Sequence, residues 1–260
     1  MHDFLIRAAF KGKNLFVPPH NFREYRQILQ ESKNQGYRFY TLQSFLQEPL
    51  TGDSPYIILR HDIDSDPRAA LLFAEIEGQL QVVASYYFRR QTWDTQVINT
   101  LHRHGHEIGY HYEEMTDFAK AQHLKDKESV LKHIPEIQRK FAENFSRLRQ
   151  TVEFELSGVA AHGDFAWKRL DLGNRIFLKD SEFRKQMGIA YEAYDEPLVA
   201  KYRNHISDKP SPQCFLPESP RQYIQRGESF LFLSHPRWWH PNPIGNILSD
   251  IKVNYQKLVW

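Results

Sequence analysis

Apolar residues along the chain fall in short dense runs separated by polar clusters, and the spacing inside each run predicts its element. Over 22–46, Tyr25, Ile28 and Leu29 recur at helical spacing, Gly36 interrupts, and 37–40 reads as a short strand. Thr41 is placed to cap a second short helix carrying Leu42 and Phe45. The stretch 48–55, with Pro49, Gly52 and Pro55, is a loop. Residues 56–60 form a nearly continuous apolar run, the pattern of a strand buried on both faces in a parallel sheet. That run ends in the cluster His61-Asp62-Ile63-Asp64-Ser65-Asp66-Pro67, where a helix over 67–80 begins with proline at its start. The alternation continues with a strand over 82–88, a helix over 95–104 and a strand over 107–111. Leu131, Ile134, Ile137 and Phe141 predict a long amphipathic helix over 123–149 that Pro135 kinks or splits. Beyond it lie a strand over 158–162, a mixed helix and short strand over 180–195, and a polar, proline-bearing stretch over 202–219 read as a long loop across one face. A last strand over 229–233 precedes a terminal helix from 243.

Strand, polar cluster and helix repeat in that order, the βα signature of a parallel barrel or a doubly wound sheet. A length of 260 residues suits one α/β barrel better than two small domains, with 1–50 as a helical segment packed on it. In such folds, chemistry collects at the C-terminal ends of the strands.

Composition narrows the function classes. Hydrophobic residues at 41% and charged residues at 25% provide for a sizeable core and exclude a disordered chain. The net charge of +2 is spread without basic blocks, so nucleic acid is not an expected partner. Cys214 is the only cysteine, which excludes an internal disulfide and any multi-cysteine zinc site and fits a reducing compartment. No charged and apolar leader opens the sequence and no apolar run is long enough to span a bilayer, so a cytoplasmic protein is expected. Aromatics at 14% fit either a thick barrel core or a sugar-binding cleft.

Several strands end in histidine or aspartate. Asp62 and Asp64, two apart at the end of a buried strand, point to one side, and both stay charged most easily beside a cation. A cap for the following helix is the competing role, and Asp66 suits it best, which leaves Asp62 and Asp64 for chemistry. His111 ends the strand over 107–111, as ligand or as a hydrogen-bonded, half-buried histidine; His104 and His106 flank a turn glycine and read as surface or structural. His162 follows Ala160-Ala161 and precedes Gly163. His235 leaves the last strand beside Trp238 and Trp239, either as an acid in an aromatic sugar pocket or as a hydrogen-bonding residue beneath tryptophans that plug the rim. Two aspartates and three histidines at strand ends are the set that metal-assisted amide hydrolysis needs.

These residues resemble the polysaccharide deacetylase family. Arg60-His61-Asp62-Ile63-Asp64 is similar to its Asp-x-Asp motif, and 105–111 (Gly-His-Glu-Ile-Gly-Tyr-His) to its second motif. Ala84-Ser85-Tyr86-Tyr87-Phe88 is similar to the strand between them, and Leu233-Ser234-His235-Pro236 to the late strand that carries a catalytic histidine. The resemblance implies a distorted, incomplete (β/α) barrel of about seven strands, holding a divalent metal, commonly zinc. It implies Asp62 as general base, Asp64 and His111 as metal ligands and His235 as general acid. The family's second motif supplies another histidine where this chain has Met115, a poor ligand for such a cation. His162 is the expected replacement, with Glu113 or Glu114 as alternatives. Arg60, Trp238 and Trp239 are the expected substrate contacts. The sequence looks closest to the branch tied to surface-polysaccharide biosynthesis, with 202–208 as its variable substrate loop. The implied activity is removal of an N-acetyl group from an amino sugar or glycan intermediate. The alternatives are a non-sugar amide hydrolase and a non-catalytic carbohydrate-binding relative.

Overall fold

The structure, a computed structural model, describes residues 17–48, 54–202, 204–209 and 214–260. Most of the loop expected over 48–55 and part of the stretch over 202–219 lie outside the described residues, as do the first 16 positions of the N-terminal segment.

One sheet organises the chain. Its strands are β1 (Arg38–Tyr40), β2 (Tyr56–Ile63), β3 (Ser85–Phe88), β4 (Glu107–Tyr112), β5 (Gly158–Ala161), β6 (Tyr191–Glu192), β7 (His205–Asp208), β8 (Phe215–Leu216) and β9 (Phe230–Ser234). They lie in the order β6-β5-β4-β3-β2-β9-β7-β8, with β1 paired to the first half of β2. From β6 to β7 every pairing is parallel, so seven parallel strands form the body, the number the family resemblance implies. β8 adds an antiparallel edge. No pairing among the described residues joins β6 to β8, so the barrel is not closed.

β2 is central and buried along its whole length, which matches its unbroken apolar run. Strand alternation sorts the core into two layers. Ile57, Leu59, Ile63, Tyr86 and Phe88 pack against the helices. Tyr56, Ile58, Tyr87, Ala160, Leu231 and Leu233 pack on the opposite face. Residues 60, 62 and 64 share that second face by the same alternation, so the strand aims Arg60, Asp62 and Asp64 together.

Glycine makes room at one decisive point. A Cβ on Gly109 of β4 would lie 2.2 Å from Tyr87 Cε1, so the Tyr87 ring lies across the bare backbone. Its phenol contacts the Tyr191 hydroxyl at 2.7 Å, and its ring stands 5.1 Å from the Arg60 guanidinium.

The amphipathic stretch over 123–149 is two helices, Lys127–Leu131 and Ile134–Arg149, with Pro135 in the first turn of the second. Proline at that position loses no helical hydrogen bond, so it starts a helix rather than kinking one. The helix expected from 67 begins at Ala69, and Asp66 accepts from the Arg68 N–H in the turn before it. The largest departure is at 202–219, where β7 and β8 replace the expected loop.

Candidate metal centre

Asp64, His111 and His162 converge at the C-terminal ends of β2, β4 and β5, each offering a ligand atom within 4.8 Å of the others. Nε2 of His111 lies 3.5 Å from Asp64 Oδ1, and Nε2 of His162 lies 3.6 Å from the same oxygen. Donors about 2.0–2.2 Å from one tetrahedral ion stand roughly 3.4 Å apart, so the spacing fits. Asp64 Oδ1 is buried without a hydrogen-bond partner, which is costly unless a cation faces it. The donor chemistry, two imidazoles and one carboxylate, suits zinc or a similar divalent ion.

Each ligand is held by its backbone and its neighbours. His111 directs Nδ1 at the Ala160 carbonyl at 2.9 Å, which leaves Nε2 turned towards Asp64. Burial lowers its pKa to about 4 despite Asp62 and Asp64, so the ring is neutral and its lone pair free. His162 is fixed at both ends of its backbone: its N–H donates to Tyr112 and its carbonyl accepts from Asn174 Nδ2. Its Nδ1 lies 3.2 Å from Glu113 Oε2. Burial opposes ionisation of Asp64, but His162 and His111 outweigh it and hold the carboxyl below its ordinary range.

Glu113, the alternative third ligand, is engaged by Arg89 through two guanidinium hydrogen bonds. It also belongs to a second donor group with His162 and Asp164, but Asp164 pairs with Lys120 at 2.7 Å. Glu114 points elsewhere, accepting from the Tyr110 hydroxyl and from Asn144 Nδ2. Met115 is fully buried in the helix-side core, apart from the three donors.

Asp62 stands beside this set, 3.4 Å from His111 Nε2. Arg60 grips both its oxygens, from Nε at 2.8 Å and Nη2 at 2.9 Å. Burial would raise the Asp62 pKa, but Arg60 and His111 overcome it and keep the carboxylate ionised. Arg60 itself is fully buried, stacked 4.6 Å from the Tyr194 ring and hydrogen-bonded to its hydroxyl. It therefore orients Asp62 from below and has no surface to offer a ligand.

His235 ends β9. Its Nδ1 lies 2.6 Å from Asp208 Oδ1, and its backbone N–H donates to Asp208 Oδ2 at 2.6 Å. The indole of Trp239 donates to the same Oδ2 at 2.8 Å. Burial disfavours the charged ring, but Asp208 overrides it and raises the pKa to about 9, with weaker help from Asp64 and Asp62. Asp208 lies in the stretch read as a loop, and nothing in its local pattern marks it. Trp239 is 1% exposed, stacked on His20 with its indole held by Asp208, which corrects the expected substrate contact: it is a core residue. Trp238 is half-buried with Arg237 stacked 4.6 Å over its ring.

A cleft of about 470 Å³ opens onto Asp64, His162 and Glu113, and neither tryptophan lines it. His106, read as surface or structural, is buried, with Nδ1 3.6 Å from Glu77.

No protein-family model matches the chain, and no curated protein matches it. Among solved structures, a CE4-family pseudoenzyme from Bacillus anthracis is similar over 78% of this chain and 62% of its own, at 12% identity and a TM-score of 0.43. This chain thus spans less than two thirds of that protein. The deacetylase PplD of Streptococcus pyogenes, solved in complex with acetate, is similar over 88% of this chain and 86% of its own, at 10% identity and a TM-score of 0.44. A family 4 carbohydrate esterase from Bacillus anthracis is similar over 90% of this chain and 85% of its own, at 12% identity and a TM-score of 0.39.

Proposed function

We propose that the protein is a metal-dependent hydrolase that removes an N-acyl group from an amino sugar or glycan. The observation that carries this reading is the convergence of an unpartnered, buried Asp64 oxygen with two imidazole nitrogens, flanked by a base and an acid held in opposite protonation states. When bound, a divalent ion supplies polarisation of the acyl carbonyl and a lowered pKa for attacking water. Asp64, His111 and His162 would hold it.

The protein's own residues divide the proton transfers. Asp62, ionised by its ion pair with Arg60, takes a proton from the attacking water. His235, kept protonated by Asp208, gives a proton to the departing amine nitrogen, which otherwise leaves as an unstable anion. Arg60 fixes Asp62 by a two-point grip, so the carboxylate does not swing towards the cation site. The pairing of a low-pKa carboxylate with a high-pKa imidazole separates the acid and base roles at neutral pH.

The motif resemblance selects an acetamido sugar as substrate and a biosynthetic, cytoplasmic setting. Among the described residues, no helix is long and apolar enough to cross a membrane. The test is acetate release from N-acetylated amino sugars by protein loaded with one equivalent of zinc. Loss of release on chelation and its return with metal are the expected results. Turnover that persists after complete metal removal would overturn the reading.

A further inference from the structure

The terminal helix, Pro243–Val259, is amphipathic in the reverse of the usual sense. Ile244, Leu248, Ile251, Tyr255 and Leu258 recur at spacings of four, three, four and three, which places them on one stripe, and Ile247 and Val259 widen it. A surface helix ordinarily turns such a stripe to the core. Here it faces solvent: Leu258 is 86% exposed, Ile244 75% and Leu248 62%. The helix is attached through polar groups instead. Asn246 is its buried residue, Asn242 caps it and also donates to Asp66 at 2.9 Å, and Asp250 pairs with Arg237 at 3.3 Å. Just past its end, the Trp260 indole donates to the Ala119 carbonyl.

The cleft beside the helix holds carboxylates as well as basic groups, but Arg89 pairs with Glu113 and Lys120 with Asp117 and Asp164, which leaves its lysines as surplus charge. Lys252 and Lys257 are the only ionised side chains of the helix besides Asp250, which Arg237 neutralises. Lys168, Lys252 and Lys257 line the cleft next to the helix, and no carboxylate pairs with any of them among the described residues. The helix also supplies Ser249 and Gln256 to that cleft, so whatever covers the stripe sits beside the metal centre.

We propose that the helix Pro243–Val259 is an interfacial element that seats the cleft end of the protein on an anionic lipid bilayer. Seven exposed apolar side chains enter the headgroup and acyl boundary, while Lys252 at the edge of the stripe, with Lys257 and Lys168 further round the cleft, meets lipid phosphates. Pairing with a second copy fits the charges less well, because Lys252 flanks the stripe and no acidic residue of the helix stands free to face it.

The experiment is vesicle flotation of the full-length protein, with phosphatidylcholine vesicles containing about 30% phosphatidylglycerol against phosphatidylcholine alone. Binding at least ~10-fold tighter to the anionic vesicles, weakened by high salt, is expected. The double variant Leu248→Glu/Ile251→Glu and the double variant Lys252→Glu/Lys257→Glu should each lose ~10-fold or more of that binding with unchanged circular dichroism. Both pairs are exposed, so the fold tolerates them. Absence of vesicle binding, or binding that both variants retain, overturns the proposal. A dimer detected by light scattering, dissociated by Leu248→Glu/Ile251→Glu in a protein that ignores vesicles, overturns it too and assigns the stripe to a second copy.

Discussion

Asp208→Asn isolates the device that keeps His235 protonated. The substitution preserves shape and removes one charge. In the folded protein the His235 pKa stands at about 9 against an ordinary 6.5, a preference for the charged ring of roughly 3 kcal/mol at about 1.4 kcal/mol per tenfold. Asp208 is the main source, opposing the burial that pushes the other way. At pH 7.5 the ring is then about 97% protonated, and at its ordinary value it would be about 10% protonated. Without Asp208, burial is opposed only by Asp62 and Asp64, so the pKa is expected to fall well below its wild-type value. The sign follows from the raised folded value. The stability that the pair lends is complete below about pH 6.5 and is lost as pH rises through about 9. The assay is a titration of the His235 ring proton by NMR in metal-free wild type and variant. It is paired with the pH dependence of turnover in the metal-loaded forms, where the alkaline limb should move down in the variant. A His235 resonance that still titrates near 9 in Asp208→Asn would refute this account of the acid.

Three further substitutions probe the support of the site. Gly109→Ala puts a methyl 2.2 Å from Tyr87 Cε1 and should cost about 1–3 kcal/mol in urea melts, because the ring has backbone on one side and Arg60 on the other. Arg60→Lys keeps the charge but loses the fork that holds both Asp62 oxygens; a lower melting temperature and at least a ~10-fold fall in kcat are expected. Asp62→Asn should keep metal stoichiometry at one by elemental analysis while turnover falls by ~100-fold or more, as removal of a general base predicts.

The site was legible wherever a strand's own pattern ended in a chemical residue. Asp62 and Asp64 at β2, His111 at β4, His162 at β5 and His235 at β9 each followed from an apolar run and the alternation of side chains along it. Their convergence is geometric and depends on the parallel order of these strands, which the sequence reading anticipated as a βα fold. What escaped depended on distant partners. β7 has one fully apolar buried residue, Ile206, and exists because β9 offers it a parallel edge. Asp208 therefore looked like one polar residue among many, although three donors from 235–239 close on it. Arg60 and Trp239 turn inward for a related reason. Residue type announces affinity for sugars and anions, whereas the direction of the side chain, inward to Asp62 or Asp208, is set by tertiary packing. Pro135 permits either a kink or a split by its chemistry alone, and its place in the first turn of a new helix makes it a split. The terminal helix was legible as a helix, but not the side it turns to solvent.

Chelator-competition titration of zinc into wild type, Asp64→Ala, His111→Ala and His162→Ala tests the central claim most directly. One equivalent should bind wild type, and each variant should lose more than the ~100-fold that marks the upper range for a residue merely supporting a ligand. Wild-type affinity retained in His162→Ala, together with its loss in Glu113→Ala, would contradict the three-residue centre and move it to the Glu113 side of the cleft.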